Sequence, residues 1–102
     1  KLLDSAATGV FALNDELAFG LYRGLEEAGK SIPEDYSIIG YDNIDMCEYI
    51  KPKLTTIAQP IFELGANICP IIVRSNPIPR KRVGEKRLPV RLEKRFSTAP
   101  LK

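Results

Sequence analysis

Two pairs of adjacent polar residues, Asn14-Asp15 and Asp42-Asn43, each follow a short apolar run: Gly9-Val10-Phe11-Ala12-Leu13 before the first and Ser37-Ile38-Ile39-Gly40-Tyr41 before the second. A fixed carboxylate accepts from two vicinal hydroxyls, and an amide both donates and accepts, so such pairs suit a polyol ligand. The same residue types also make turns and cap helices. Asp15, followed by Glu16 at the start of a helical apolar period, reads as an N-cap. Asn14 and Asp42 fit a ligand-holding role and a turn-forming role equally.

Other chemistry is excluded by what the 102 residues lack. With no histidine, there is no Ser-His-Asp or Cys-His pair, no histidine base and no histidine metal ligand. Cys47 and Cys69 share no C-x-x-C spacing, so neither a zinc site nor a dithiol motif is indicated, and both read as core-filling thiols. No glycine loop for phosphate is present, and carboxylate acid-base chemistry has no specific pair to carry it. The expectation is a protein that is not an enzyme, with no catalytic residue, no metal site and no cofactor.

Two strands must deliver those polar pairs. The first apolar run has the length and composition of a strand buried on both faces, and the second reads as a strand. Between them Leu17, Leu21, Leu25 and Ala28 recur on one helical face, and Gly29 is placed to end the helix. Strand, helix, strand is a βαβ unit, and in open parallel sheets ligands bind beyond the carboxyl ends of the strands. Gly20 and Gly24, one turn apart, imply a close backbone approach, either of the helix to its sheet or of another subunit.

Further along, Ile44, Met46, Cys47, Tyr49 and Ile50 give residues 44–53 more apolar surface than a solvated connector needs, so the segment tucks under the domain or meets a partner. Leu54-Thr55-Thr56-Ile57-Ala58 is strand-like, and Gln59-Pro60 breaks it. Ile61, Leu64, Gly65 and Ile68 restart a helical period that Pro70 should kink or end near Cys69. Residues 75–79 read as a loop, and Arg82 to Leu88 and Val90 to Phe96 as short strands.

About 44% hydrophobic and 27% charged residues make an ordinary globular mixture. Net charge is −6 over residues 1–73 and +8 over 74–102. That split marks either a nucleic-acid-binding tail or a basic edge beside acidic surface elsewhere, and the interleaved Val83, Leu88, Val90, Leu92 and Phe96 favour strands over a disordered arm. No apolar stretch is long enough to span a membrane, and no export signal opens the chain, whose first residues read like the middle of an element.

The order of four segments carries a resemblance. Residues 11–20 (FALNDELAFG), 32–43 (IPEDYSIIGYDN), 52–60 (PKLTTIAQP), and 88–92 (LPVRL) with 95–100 (RFSTAP) closely resemble the C-terminal part of the LacI/GalR family of bacterial transcriptional repressors. The likeness weakens between Cys69 and Lys86. It implies an α/β fold: parallel-sheet βαβ units of a periplasmic-binding-protein-like (type I) two-lobed fold, present only in part. Residues 1–56 and about 86–98 would belong to the C-terminal lobe, and about 57–85 would cross into the N-terminal lobe. Family members bind an effector, usually a sugar or a nucleobase-type metabolite, in the cleft between lobes. By this likeness Asn14, Asp42 and Gln59 match effector-binding positions.

The same resemblance implies a homodimer that meets through Ile44, Met46, Cys47, Tyr49 and Ile50 and through the helix after Asp15. Operator DNA would be bound only through a helix-turn-helix domain not in this chain. The protein would be cytoplasmic, with no membrane partner. Asn43 replaces a second aspartate common in the family at that place, and Pro70 is unexpected in its helix. A sugar-binding protein of a transporter shares the fold and is the alternative, but the 52–60 and 95–100 segments look like the repressor branch.

Overall fold

Three apolar segments pair side by side and leave their carboxyl ends pointing the same way. The computed structural model describes residues 1–74 and 85–102. Strands β1 (Gly9–Phe11), β2 (Ser37–Asp42) and β3 (Thr55–Ala58) run parallel in that spatial order, and the short β4 (Arg91–Glu93) lies beyond β3. Val10 is in register with Ile38, Gly40 with Thr56, and Asp42 with Ala58. The first residues form turns, with the Ser5 amide donating to the Leu2 carbonyl at 3.1 Å.

Helix α1 (Asp15–Glu27) connects β1 to β2 and covers one face of the sheet. Its cap is Asn14, whose Oδ1 accepts from the Leu17 amide at 2.8 Å. The expected capping role of Asp15 is therefore corrected: Asp15 is the first helical residue and turns inward, where it is fully buried. Gly29 does end the helix, at φ 69°, a backbone conformation that costs a glycine little. The core gathers Ala12, Ala18, Leu25, Tyr36, Ile38, Cys47 and Leu54.

Burial of β1 on both faces is not observed. Phe11 and Leu13 are 57% and 78% exposed, because β1 is an edge strand and nothing among the described residues covers that part of the sheet. Of the two readings of Gly20 and Gly24, an approach of the helix to its own sheet is missing among the described residues: a Cβ built on either would meet no atom within 4 Å. Both instead line an apolar groove of about 650 Å³ with Leu2, Leu3, Phe11 and Leu17.

The described residues divide into two units, one of 1–58 with 92–102 and the other of 59–91. In the second, helix α2 (Ile61–Arg74) runs four residues past Pro70 instead of ending near Cys69. The amide bond that Pro70 cannot make leaves the Ala66 carbonyl without a helical partner, and Ala66 is exposed, so water can satisfy it. Cys69 is exposed and fills no core. The Asn67 side chain donates to the Glu63 carbonyl and accepts from Lys86, both at 2.6 Å. Of the two strands expected near the end, the first falls partly outside the described residues and is irregular from 85 to 88, and the second is reduced to β4. No described helix is long and apolar enough to cross a membrane.

Candidate functional site

The end of β2 turns sharply. Asp42 and Asn43 have φ of 121° and 61°, values uncommon for residues other than glycine, with Asn and Asp the most tolerant exceptions. Two sets of hydrogen bonds hold this turn in place.

The first centres on Asp15. Its Oδ2 accepts from the Ile44 amide at 2.9 Å and from the Cys47 thiol at 3.1 Å, and its Oδ1 accepts from the Thr56 hydroxyl at 2.5 Å. Gly40 abuts the same carboxylate: a Cβ there would collide with Asp15 Oδ1 and lie 2.9 Å from Leu54. One buried side chain thus joins the start of α1, the middle of β2, the turn after β2 and β3. Burial pushes the Cys47 thiol up to about 12, with the Asp15 carboxylate adding to the effect.

The second centres on Arg95, a residue of the returning C-terminal segment with a side chain only 11% exposed. Its guanidinium donates to Asn43 Oδ1 at 2.6 Å, to the Leu54 carbonyl at 2.8 Å and to Glu48 Oε1 at 2.7 Å, and its amide donates to Thr55 Oγ1 at 2.9 Å. The Arg95 hydrogen bond, seconded by Lys53, holds the Glu48 carboxyl below its usual range. Two residues on, Ser97 joins β2 to β3. Its carbonyl accepts from the Ile38 amide, and its hydroxyl donates to the Ile38 carbonyl and accepts from the Thr55 amide. No buried side-chain nitrogen or oxygen among the described residues lacks a hydrogen-bond partner.

Within this frame Asp42 is the last residue of β2 and Asn14 lies three residues past the carboxyl end of the neighbouring parallel strand β1, both half-buried. Asn14 spends Oδ1 on the helix cap, which leaves its amide hydrogens to donate to a ligand. Gln59 directly follows β3 and belongs to the second unit. The apolar groove is lined by neither Asn14 nor Asp42, and neither is a smaller cavity of about 320 Å³ between Thr8, Pro33, Ser37 and Pro100. The segment after Asn43 forms a single 3-10 turn, Asp45–Glu48. Ile44, Met46 and Tyr49 are exposed on it, Ile50 packs partly against the core, and Cys47 is wholly buried beneath. Cys47 therefore faces Asp15 and not outward.

The periplasmic binding protein-like domain family matches residues 1–98. This chain belongs to that family. Transcriptional regulators are among the proteins it resembles. The HTH-type transcriptional regulator DegA of Bacillus subtilis is 45% identical over 102 residues, covering 99% of this chain and 30% of the relative. Among solved structures, a LacI family transcriptional regulator from Enterococcus faecium with bound ribose superposes with a TM-score of 0.86 at 82% identity. The match covers 99% of this chain and 38% of that one. A LacI family regulator from Enterococcus faecalis V583, also with bound ribose, gives 0.89 at 62% identity over the same shares. The chain thus spans under two fifths of the length of these relatives.

In this family setting the residues that position the turn were the ones sequence reasoning missed. Asp15 was taken for a cap, and Thr55, Thr56, Arg95 and Ser97 were given no role. A signal was present: Thr55-Thr56 is a polar pair inside an otherwise apolar strand, and buried hydroxyls require partners. Among the described residues no group of three His, Cys, Asp or Glu side chains is placed to hold a metal ion.

Proposed function

We propose that this chain is the C-terminal part of a cytoplasmic LacI-type transcriptional regulator that responds to a small sugar, and that it acts by binding and not by catalysis. The first unit corresponds to the C-terminal lobe of the effector-binding core, and residues 59–91 to the crossover into the N-terminal lobe. Asp42 accepts from two vicinal sugar hydroxyls, Asn14 donates to a third, and Gln59 contributes from the crossover. The observation that carries this reading is that Asp42 closes β2 while Asn14 follows the end of the adjacent parallel strand β1, so both sit at the carboxyl edge where such sheets bind ligands. The ribose in two close structural neighbours supports a pentose.

The sugar changes the relative populations of two lobe arrangements only to the extent that it binds one better than the other. That bias reaches operator DNA through the helix-turn-helix domain of the full-length protein. Asp42→Asn tests the site while keeping a residue type that tolerates φ 121°. Replacing charge-assisted hydrogen bonds by neutral ones costs about 1 kcal/mol each, so calorimetry with the full-length protein and D-ribose should show affinity falling about tenfold or more. Unchanged affinity would remove Asp42 from the site.

The exposed Ile44, Met46 and Tyr49 form the contact with a second copy, with Ile50 and the buried Cys47 supporting them from below. Tyr49 is 78% exposed, so Tyr49→Asp should leave the melting temperature nearly unchanged while shifting the full-length protein from dimer toward monomer in sedimentation. A variant that remains fully dimeric would place the interface elsewhere.

A further inference from the structure

Among the described residues Asp15 is the one carboxylate or basic side chain that is fully buried, and nothing in the sugar-binding reading uses it. Its carboxylate takes three donors from two separate segments: the Ile44 amide and the Cys47 thiol of the turn after β2, and the Thr56 hydroxyl of β3. Ile44 lies two residues after Asp42, and Asn14 immediately precedes Asp15 in the chain. The carboxylate is thus tied to both ligand-facing positions, one through a peptide bond and one through a 2.9 Å hydrogen bond. Gly40 leaves room for it where any larger residue of β2 would displace it.

We propose that Asp15 is a positioning residue for effector binding: it fixes the strained Asp42-Asn43 turn relative to Asn14, and so sets the spacing between the two groups that hold the sugar. This inference rests on the effector reading given above. A turn at φ 121° and 61° relaxes toward common backbone conformations unless its surroundings hold it. The Ile44 amide is the group through which Asp15 does so, while Thr56 and Cys47 keep the carboxylate from rotating away. An amide at this position has a single acceptor oxygen where the carboxylate has two. Asp15→Asn therefore either turns N–H hydrogens on the Ile44 amide, or keeps its oxygen there as a neutral acceptor and makes the Thr56 hydroxyl accept; in both cases it weakens the hold on the turn without leaving a cavity.

A double-mutant cycle separates positioning from general support. In the full-length protein, titrated with D-ribose by calorimetry, Asp15→Asn should weaken binding about tenfold when Asp42 is present and less than twofold in the Asp42→Asn background, because its effect passes through Asp42. Equal losses in both backgrounds, or a loss under twofold with Asp42 present, would overturn the proposal. Should Asp15→Asn melt below the assay temperature, Thr56→Val, which removes one of the three donors, is put through the same cycle under the same criteria. Absence of ribose binding by the unsubstituted protein, or an unchanged affinity in Asp42→Asn alone, would sink the effector reading and this inference with it. That failure is recognisable because it shows before Asp15 is altered.

Discussion

At the scale of single residues, the two cysteines illustrate how position in the fold decides reactivity. Cys47 is completely buried and donates to the Asp15 carboxylate, and its thiol is pushed up to about 12 from an ordinary value of 9.0. A thiol is nucleophilic only as thiolate. A thiol-reactive dye at neutral pH should therefore label one cysteine of this segment, Cys69, rapidly, and label Cys47 only after denaturant is added; rapid labelling of both would contradict the burial. The sign of the pH effect follows from the same shift. The folded state keeps the Cys47 proton longer than the unfolded chain does, so its contribution to stability is intact below about pH 9 and is lost as pH rises through about 12. Tyr22, raised chiefly by burial to about 12 from 10.0, pushes in the same direction. Urea midpoints should fall on the alkaline side, and a midpoint that is flat from pH 8 to pH 11 would count against both shifts.

At the scale of elements, the strands and helices were legible where periodicity and turn residues agreed. β1, α1 and β2 follow the apolar runs and Gly29, and the polar pairs stand at the strand ends as the pattern required. Three things were not legible. Which of Asn14 and Asp15 caps the helix depends on the partners that await Asp15 across 29 to 41 residues of sequence, and no local signal encodes these. Whether Gly20 and Gly24 face a neighbour depends on what covers the helix. Pro70 marks a helix end by propensity, yet an exposed helix tolerates one solvated carbonyl. The glycines can be told apart by substitution. Gly40→Ala drives a methyl group into Asp15 and Leu54 and should cost about 1 to 3 kcal/mol, as overpacking does. Gly24→Ala meets open space and should stabilise α1 by up to about 1 kcal/mol. Denaturant titration of the two variants should move the midpoints in opposite directions; movement in the same direction would mean that the helix face at Gly24 is already covered.

At the scale of the whole molecule, the described residues expose an edge strand and, next to it, a groove lined by Leu2, Leu3, Phe11, Leu13 and Leu17. An unpaired strand edge beside apolar surface invites association. Residues 1–102 prepared alone should therefore sediment as concentration-dependent oligomers, and Phe11→Lys, which places a charge on the edge, should reduce that association; a monodisperse monomer at high concentration would show that this surface is not adhesive. The family and the α/β class were within reach of the residue pattern, because short motifs in a fixed order carry them. The charge split was not resolved by pattern alone. In the structure one of its bases, Arg95, is spent internally on Asn43, Leu54 and Glu48, so the basic segment serves in part as a latch.

Ser97 closes the pair β2 and β3 by taking the Ile38 amide, the Ile38 carbonyl and the Thr55 amide onto one residue. During synthesis, Ile38 and Thr55 leave the ribosome well before position 97 does, so these backbone groups wait for Ser97. Truncation after Glu93, by a premature stop codon or by a protease, would remove both that closure and Arg95 at once. Such a cut would take away parts that hold the central strands and the Asp42-Asn43 turn.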